Sequence, residues 1–203
     1  MSTEATLLFR ARRLGDRSAF AKLVRMHQSQ VRGFLFRLCQ DYDQADDLAQ
    51  DTFLKAFRKL DSYKASGKFA SWLFGIAYRV FLESDRSDRR RSEITTRLAD
   101  ETLIEPQRYN GLSAEQLDLE RAILTLNETE AATISLCYSY GCSHSEAAEA
   151  LGLPLGTVKT SVRRAKQKLV AAMRPTENEA QLGEGTADDN HSQLVRKHKA
   201  GSA

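Results

Sequence analysis

The chain has 203 residues, 41% of them apolar and 28% charged, with a formal net charge of +3. That apolar content excludes a wholly disordered chain, and the length suits one large domain or two small ones of roughly 70–90 residues each. No apolar run approaches the ~20 residues of a bilayer crossing, and Met1-Ser2-Thr3-Glu4 does not begin a basic-then-apolar secretory signal. Cys39, Cys137 and Cys142 make no even-numbered disulfide framework. A reduced, cytoplasmic protein with no direct membrane insertion is the expectation.

Pro106, Pro154 and Pro175 are the only prolines, and alternating β-branched runs are scarce, so the chain reads as all-α. A first helix is expected from about Thr3 to Leu14, stopped by Gly15. Asp16 then caps a long helix whose Phe20, Leu23, Val24, Val31, Phe34, Leu35 and Leu38 recur at spacings of three and four. Asp43 is expected to open a third helix carrying Leu48, Ala49, Phe53, Ala56, Phe57 and Leu60. A polar loop, Asp61 to Lys68, leads to a fourth helix from about Phe69 with Trp72, Leu73, Ile76 and Ala77 inward. From Ser87 to Gly111 the periodicity fails, which predicts a flexible linker.

The second half starts again at Ser113, where Ser113 with Gln116 spells a capping box and Leu112 with Leu117 a hydrophobic staple. Asn127 with Glu130 repeats the box for a helix ending at Gly141, and Ser143 with Glu146 repeats it for a short helix ending at Gly152. A last helix is expected from about Gly156 to Met173. The sequence after Pro175 is rich in Glu, Asp, Gly and Asn and then basic, and reads as a disordered tail. Two small helical domains standing apart on a flexible linker are therefore predicted: residues 1–86, a linker 87–112, residues 113–174, and a tail 175–203.

Ser143 to Met173 has the short helix, tight turn and longer helix of a helix-turn-helix. On the last helix, Val158, Val162, Ala165, Leu169 and Met173 make a packing stripe. Lys159, Thr160, Arg163, Arg164 and Gln167 lie opposite, with the hydrogen-bonding groups and positive charge that major-groove contact requires. Residues 113–149 hold seven acids against one base, while 156–174 hold six bases and no acid. Such segregation points to one docked helix rather than a generally sticky surface. The competing reading, a merely solvated basic face, is weakened by the absence of acidic partners four residues away.

In the first half, Asp41, Asp43, Asp46, Asp47 and Asp51 crowd into eleven residues with no base among them. Helix capping accounts for some of them, and a contact surface for a basic partner is the other strong reading. Metal binding is weak, since no His or Glu joins at ligand spacing. Tyr63, Phe69, Trp72, Tyr78 and Phe81 interleave with Lys64, Lys68, Arg79 and Arg86, the composition that single-stranded DNA binding uses. Trp72, however, is also in register with the core stripe. No Gly-rich phosphate loop, Gly-x-Ser-x-Gly or His-Glu-x-x-His is present, so no catalytic residue, cofactor or metal is expected and the protein reads as a non-enzyme.

Four segments in this order resemble the bacterial extracytoplasmic-function (ECF) sigma factors, group four of the sigma-70 class. They are Gly15-Asp16-x-x-Ala19-Phe20, Asp46-Asp47-Leu48-x-Gln50-Asp51-x-Phe53, Ser71-Trp72-Leu73-x-x-Ile76-Ala77, and Gly156-Thr157-Val158-Lys159-Thr160 followed by Arg164-Ala165. The resemblance spans about Leu7 to Met173. It implies that the first domain is sigma region two and the second region four. Asp46, Asp47, Leu48, Gln50, Asp51 and Phe53 would dock on a coiled coil of the RNA polymerase β′ subunit, the β subunit being the other core partner. Tyr63, Lys64, Lys68, Phe69, Trp72, Tyr78, Arg79 and Arg86 would open and hold the −10 element of promoter DNA. Ser143, Thr157, Lys159, Thr160, Arg163, Arg164, Gln167 and Lys168 would serve the −35 element. The linker would thread toward the RNA exit channel. An anti-sigma factor, often membrane-anchored, would hold the protein inactive, and no small-molecule substrate is implied. Two positions depart from the pattern. Tyr78-Arg79 stands where Arg-Asn is usual, which bears on −10 base preference, and Ser161 stands where a basic residue is frequent, which implies one phosphate contact fewer. The nearest alternative is a helix-turn-helix regulator that binds duplex DNA without joining polymerase. A nuclease built on the aspartates and a polymerase-sequestering decoy are weaker ones.

Overall fold

The computed structural model describes residues 3–63, 68–94 and 113–173, with backbone alone at 88–94 and 114–117. All regular structure among them is helical. The first unit comprises α1 (Thr3–Arg13), α2 (Arg17–Cys39), α3 (Tyr42–Arg58) and α4 (Phe69–Ile94), with a short 3-10 turn at Leu60–Ser62. The second comprises α5 (Ala114–Leu124), α6 (Glu128–Ile134), α7 (His144–Leu151) and α8 (Leu155–Ala172). A π-helical turn, Ser135–Ser139, extends α6. Lys64, the expected linker from residue 95 to 112 and the tail after Pro175 lie outside the described residues, as does the Leu112 half of the proposed staple.

The caps explain most of the boundaries. Asp16 accepts from the Ala19 amide at 3.0 Å, and the Arg10 guanidinium grips the same carboxylate at 2.6 and 3.0 Å. Together these bonds hold the Asp16 carboxyl below its ordinary range, the Ala19 amide contributing most. Asp41, rather than Asp43, caps α3: it has the extended backbone and accepts from the Gln44 amide at 2.8 Å, which leaves Asp43 in the first turn. Of the three capping boxes expected in the second half, those of Asn127 with Glu130 and Ser143 with Glu146 form, while the Gln116 side chain lies outside the described residues. α7 ends on Gly152 in the left-handed region (φ 67°), where a side chain would be strained.

The break expected at Ser87 does not occur, because α4 runs on to Ile94. Loss of apolar periodicity there marks where the helix leaves the core, while Arg, Glu and Asp-rich sequence can still propagate a helix.

Two helical units are present as expected, yet they do not stand apart. One continuous apolar cluster runs from Leu7 through Phe34, Leu35, Leu73 and Phe74 to Leu136, Ala147, Val158 and Ala165. α4 lies against α7, and α2 against α6. The reason is written in α4. Between Phe69 and Leu82 only Ser71, Gly75 and Arg79 interrupt its apolar residues, and they fall four apart on one narrow stripe whose small members Ser71 and Gly75 admit a second helix at close range. The first unit covers one side and α7 the other. Phe74 stacks on Tyr140 at 4.1 Å between centroids, and Ser71 Oγ lies 3.2 Å from Cys142 Sγ. Polar ties surround this contact. Arg37 forks onto Glu120 at 2.6 and 3.3 Å, Tyr140 donates to the Gln30 carbonyl at 2.8 Å, and Gln40 donates to the Leu124 carbonyl at 2.8 Å. Burial works against the Arg37 charge, but the bonds and charge of Glu120 outweigh it, so its pKa rises.

Candidate nucleic-acid interface

α7, the Gly152 turn and α8 form the helix-turn-helix. Val158, Val162 and Ala165 are buried, Leu169 is half-buried, and Met173 is exposed at the helix end. On the other face Thr157, Lys159, Thr160, Arg163, Arg164 and Gln167 are all exposed. The Thr160 hydroxyl turns back to donate to the Gly156 carbonyl at 2.9 Å, which fixes the side chain on the first exposed turn. Three long cations with nothing acidic on the same helix can reach phosphates and the acceptor-rich edge of guanine.

Three readings of this unit change. Ser161 is buried at 9% exposure, so it belongs to the packing side of α8. Lys168 donates to Glu130 Oε2 at 2.7 Å, and the Glu130 side chain is only 4% exposed. Its ammonium is thus bound to a buried carboxylate of the α6 capping box rather than offered to DNA. Ser143 is the cap of α7 and accepts from the Glu146 amide, which orients its exposed hydroxyl.

In the first unit the aromatics divide differently from expectation. Tyr63, Phe69 and Tyr78 are buried, at 8%, 3% and 4% exposure. Tyr63 packs edge-on to Phe69 at 5.5 Å, and Trp72 lies 5.5 Å from each of them. The tyrosine assigned to a polar loop instead closes an aromatic cluster, because the 3-10 turn at Leu60–Ser62 folds the chain back onto α4. Burial raises the Tyr63 pKa, with the Glu4 charge adding to it. Trp72 alone of these is half-buried, with Lys68, Arg79 and Arg86 exposed. Lys68 and Arg79 share a cleft of about 320 Å³ with Trp72, across which stand Glu146 and Glu149 of α7. Lys68 also donates to the Gly141 carbonyl at 2.8 Å.

On α3, Asp47, Gln50 and Asp51 are exposed, and Asp46 is clasped by the Arg32 guanidinium of α2. Leu48 is a core residue at 5% exposure, so it positions α3 rather than meeting a partner. Phe53 is half-buried and opens into a largely apolar groove between α2 and α3, about 690 Å³, floored by Phe20, Val24, Leu54 and Phe57.

Residues 23–91 match the family sigma-70 region 2, and residues 116–169 match sigma-70 region 4. The chain is 31% identical to the ECF RNA polymerase sigma factor EcfG of Rhodopseudomonas palustris, over 70% of this chain and 78% of that protein. The chain belongs to the ECF sigma factors. It is also 29% identical to the RNA polymerase sigma factor YlaC of Bacillus subtilis, over 82% of this chain and 98% of that one. Among solved structures it is similar to the sigma factor RpoE of Bartonella quintana in complex with the anti-sigma factor NepR. That match has a TM-score of 0.66 and 28% identity, covering 77% of this chain and 97% of that one.

For this sigma factor the two apolar grooves are what sequence reasoning missed. The second lies between α5, α6 and α8, about 660 Å³, lined by Leu119, Ile123, Ile134, Tyr138, Leu169 and Val170, with Lys166 set 4.5 Å from the Tyr138 ring centroid. A signal was available in both cases. Leu54 falls outside the α3 packing stripe, and Val170 falls outside that of α8. It is the joining of such side chains with exposed neighbours into one contiguous apolar patch that marks an interaction surface.

Proposed function

We propose that this ECF sigma factor directs core RNA polymerase to its promoters by dividing the work between the two units. α8 reads the −35 element through Lys159, Thr160, Arg163, Arg164 and Gln167, with Thr157 at its start. α4 meets the opened −10 strand through Lys68, Trp72, Arg79 and Arg86, Lys64 preceding them in sequence. Tyr63, Phe69 and Tyr78 shape that surface from beneath. Asp47, Gln50, Asp51 and Phe53 on α3, beside the apolar α2–α3 groove, dock the polymerase β′ subunit, and the groove on the second unit receives the β subunit.

The observation that carries this reading is the exposed cationic face of α8, opposite a buried stripe, in a chain whose other unit presents acidic and apolar surface to a protein partner. Charge-complementary docking mainly sets association rate and orientation. Each good bidentate base contact contributes roughly 1–3 kcal/mol. Stacking on Trp72 offsets part of the unstacking cost of strand opening, at roughly 1–3 kcal/mol per base. None of these steps makes or breaks a covalent bond, so the protein acts as a specificity subunit, not an enzyme. It works in the cytoplasm, where polymerase and promoter DNA are. An anti-sigma factor controls it, as the NepR complex of the similar RpoE supports. The test is transcription of genomic DNA by core polymerase with and without the chain. Start sites preceded by shared −35 and −10 sequences are expected. Duplex binding with no start site that depends on the chain would refute the reading.

A further inference from the structure

On α4, Trp72, Arg79, Glu83 and Arg86 recur at intervals of seven, four and three, which sets them on one stripe of the helix. Trp72 is half-buried, and the other three are exposed. An acid in the middle of a stripe read as strand-binding needs a reason, and α3 supplies it. Lys55 Nζ donates to Glu83 Oε2 at 2.5 Å, with the lysine side chain 35% and the glutamate side chain 64% exposed. Lys59 follows Lys55 by one helical turn at the end of α3, and Arg79 precedes Glu83 by one turn on α4. These two charged rows stand on helices packed against each other, which brings Lys55, Lys59 and Arg79 around a single carboxylate. The Glu83 carboxyl lies below its ordinary range, chiefly through the Lys55 bond, and the charges of Lys55, Lys59 and Arg79 add to this. Asp85, two positions on, lies on a different side of the helix. The cluster therefore carries more positive charge than Glu83 cancels, at a place that solvent reaches.

We propose that Lys55, Lys59 and Arg79 form a binding site for a backbone phosphate of promoter DNA, with Glu83 as the positioning residue that gathers the three cations before DNA arrives. The site extends the −10 surface of α4 onto α3 and rests on that reading of α4. An exposed ion pair between two helices contributes little to stability, so folding alone is a poor reason for three cations at one spot. Lysine ammonium groups meet a phosphate as point charges, and holding them together beforehand reduces the side-chain ordering that binding must impose. Glu83 repels the phosphate even as it places the cations. Removing its charge and removing that of Lys55 therefore act on DNA affinity in opposite directions, whereas a purely structural pair would give both changes the same sign.

The test uses the chain bound to core polymerase, on a promoter fragment found by start-site mapping. The fragment is made as a duplex and as a fork whose non-template strand is single across the −10 element. Lys55→Met and Lys59→Met should each weaken binding about fivefold near 0.15 M salt and reduce the slope of log affinity against log salt by about 0.7–0.9. Loss on the fork alone assigns the phosphate to the opened strand, and loss on the duplex as well assigns it to paired DNA. Glu83→Gln should tighten binding about two- to fivefold, while Lys55→Met and Glu83→Gln shift thermal melting alike. DNA affinity that moves in the same direction in Lys55→Met and Glu83→Gln overturns the site, as does an unchanged salt slope in both lysine variants. Trp72→Ala keeps this site apart from the reading of α4 beneath it. If Trp72→Ala weakens fork binding while both lysine variants bind as the wild type does, the phosphate site alone fails. If Trp72→Ala leaves fork binding unchanged, α4 is not the −10 surface, whatever the lysines do.

Discussion

Lys168 separates a structural cation from a DNA-binding one, and the two roles leave different fingerprints. Its ammonium sits 2.7 Å from Glu130 Oε2, a carboxylate whose side chain is 4% exposed, while the lysine side chain is 47% exposed. Lys168→Met keeps the alkyl stem and removes the charge. Breaking a fully buried pair costs about 3–5 kcal/mol, and a hydrogen bond to a charged group is worth about 1.5–3 kcal/mol. Because water reaches the lysine end, the lower range applies, about 2 kcal/mol. If the two units unfold together, that lowers the melting temperature by about 4–8 °C. A phosphate contact behaves otherwise: its removal leaves stability alone and reduces the slope of log affinity against log salt by about 0.9. Thermal melting by circular dichroism and duplex binding over a salt series are therefore run on the same variant. A melting loss with an unchanged salt slope is expected. An unchanged melting temperature with a flatter slope would refute the reasoning and return Lys168 to the DNA face.

Arg163→Ala and Arg164→Ala should each weaken duplex binding at a cognate −35 element by about 1–3 kcal/mol while leaving affinity for core polymerase unchanged; a loss of polymerase binding in either would misplace the surface. A double-mutant cycle with Arg37→Met and Glu120→Leu, read by denaturant unfolding, should give a coupling of about 2 kcal/mol across the two units, and a value below about 0.5 kcal/mol would mean that the fork is open in solution. Asp16 has a folded pKa below its ordinary 3.8, so the stability it contributes is present above the unfolded pKa and is lost as pH falls through the folded one. Asp16→Asn keeps an oxygen for the Ala19 amide but no charge for Arg10. It should melt below the wild type at pH 7, with the gap closing on acidification below about pH 4; a gap that stays constant with pH would show that the charge plays no part.

The helices and their starts were legible because capping is local chemistry. Asp16, Asn127 and Ser143 each satisfy donors within three residues, and all three cap their helices as expected. Asp41 and Asp43 were a harder pair, since either could cap and only the backbone at Asp41 decides. The exposed face of α8 was legible from periodicity and charge together. Lys168 and Ser161 were not, because one turns inward to a carboxylate thirty-eight residues away and the other faces a neighbouring helix. Tyr63, Phe69 and Tyr78 illustrate a different limit. Aromatic residues beside cations look the same whether they stack on bases or on each other, and only the fold-back after α3 chooses. The contact between the units was present in α4 as Ser71 and Gly75, small residues four apart among apolar ones, which admit a second helix at close range.

Charge layout imposes an order on the encounter with DNA. Among the described residues the acids of the second unit cap α6 and α7, tie to Arg37, Arg121 and Lys168, or face the α4 cleft, whereas Lys159, Arg163 and Arg164 stay exposed while the units are packed together. Packing therefore sets acids opposite Lys68 and Arg79, which remain exposed, and leaves the face of α8 open to duplex. Any partner that separates the units does so against the apolar stack of Phe74 on Tyr140 and the Arg37–Glu120 fork. In the docking proposed above, polymerase engages both units and can supply that work through the grooves at either end. Free duplex contacting α8 alone cannot, because nothing it touches differs between the closed and open chain.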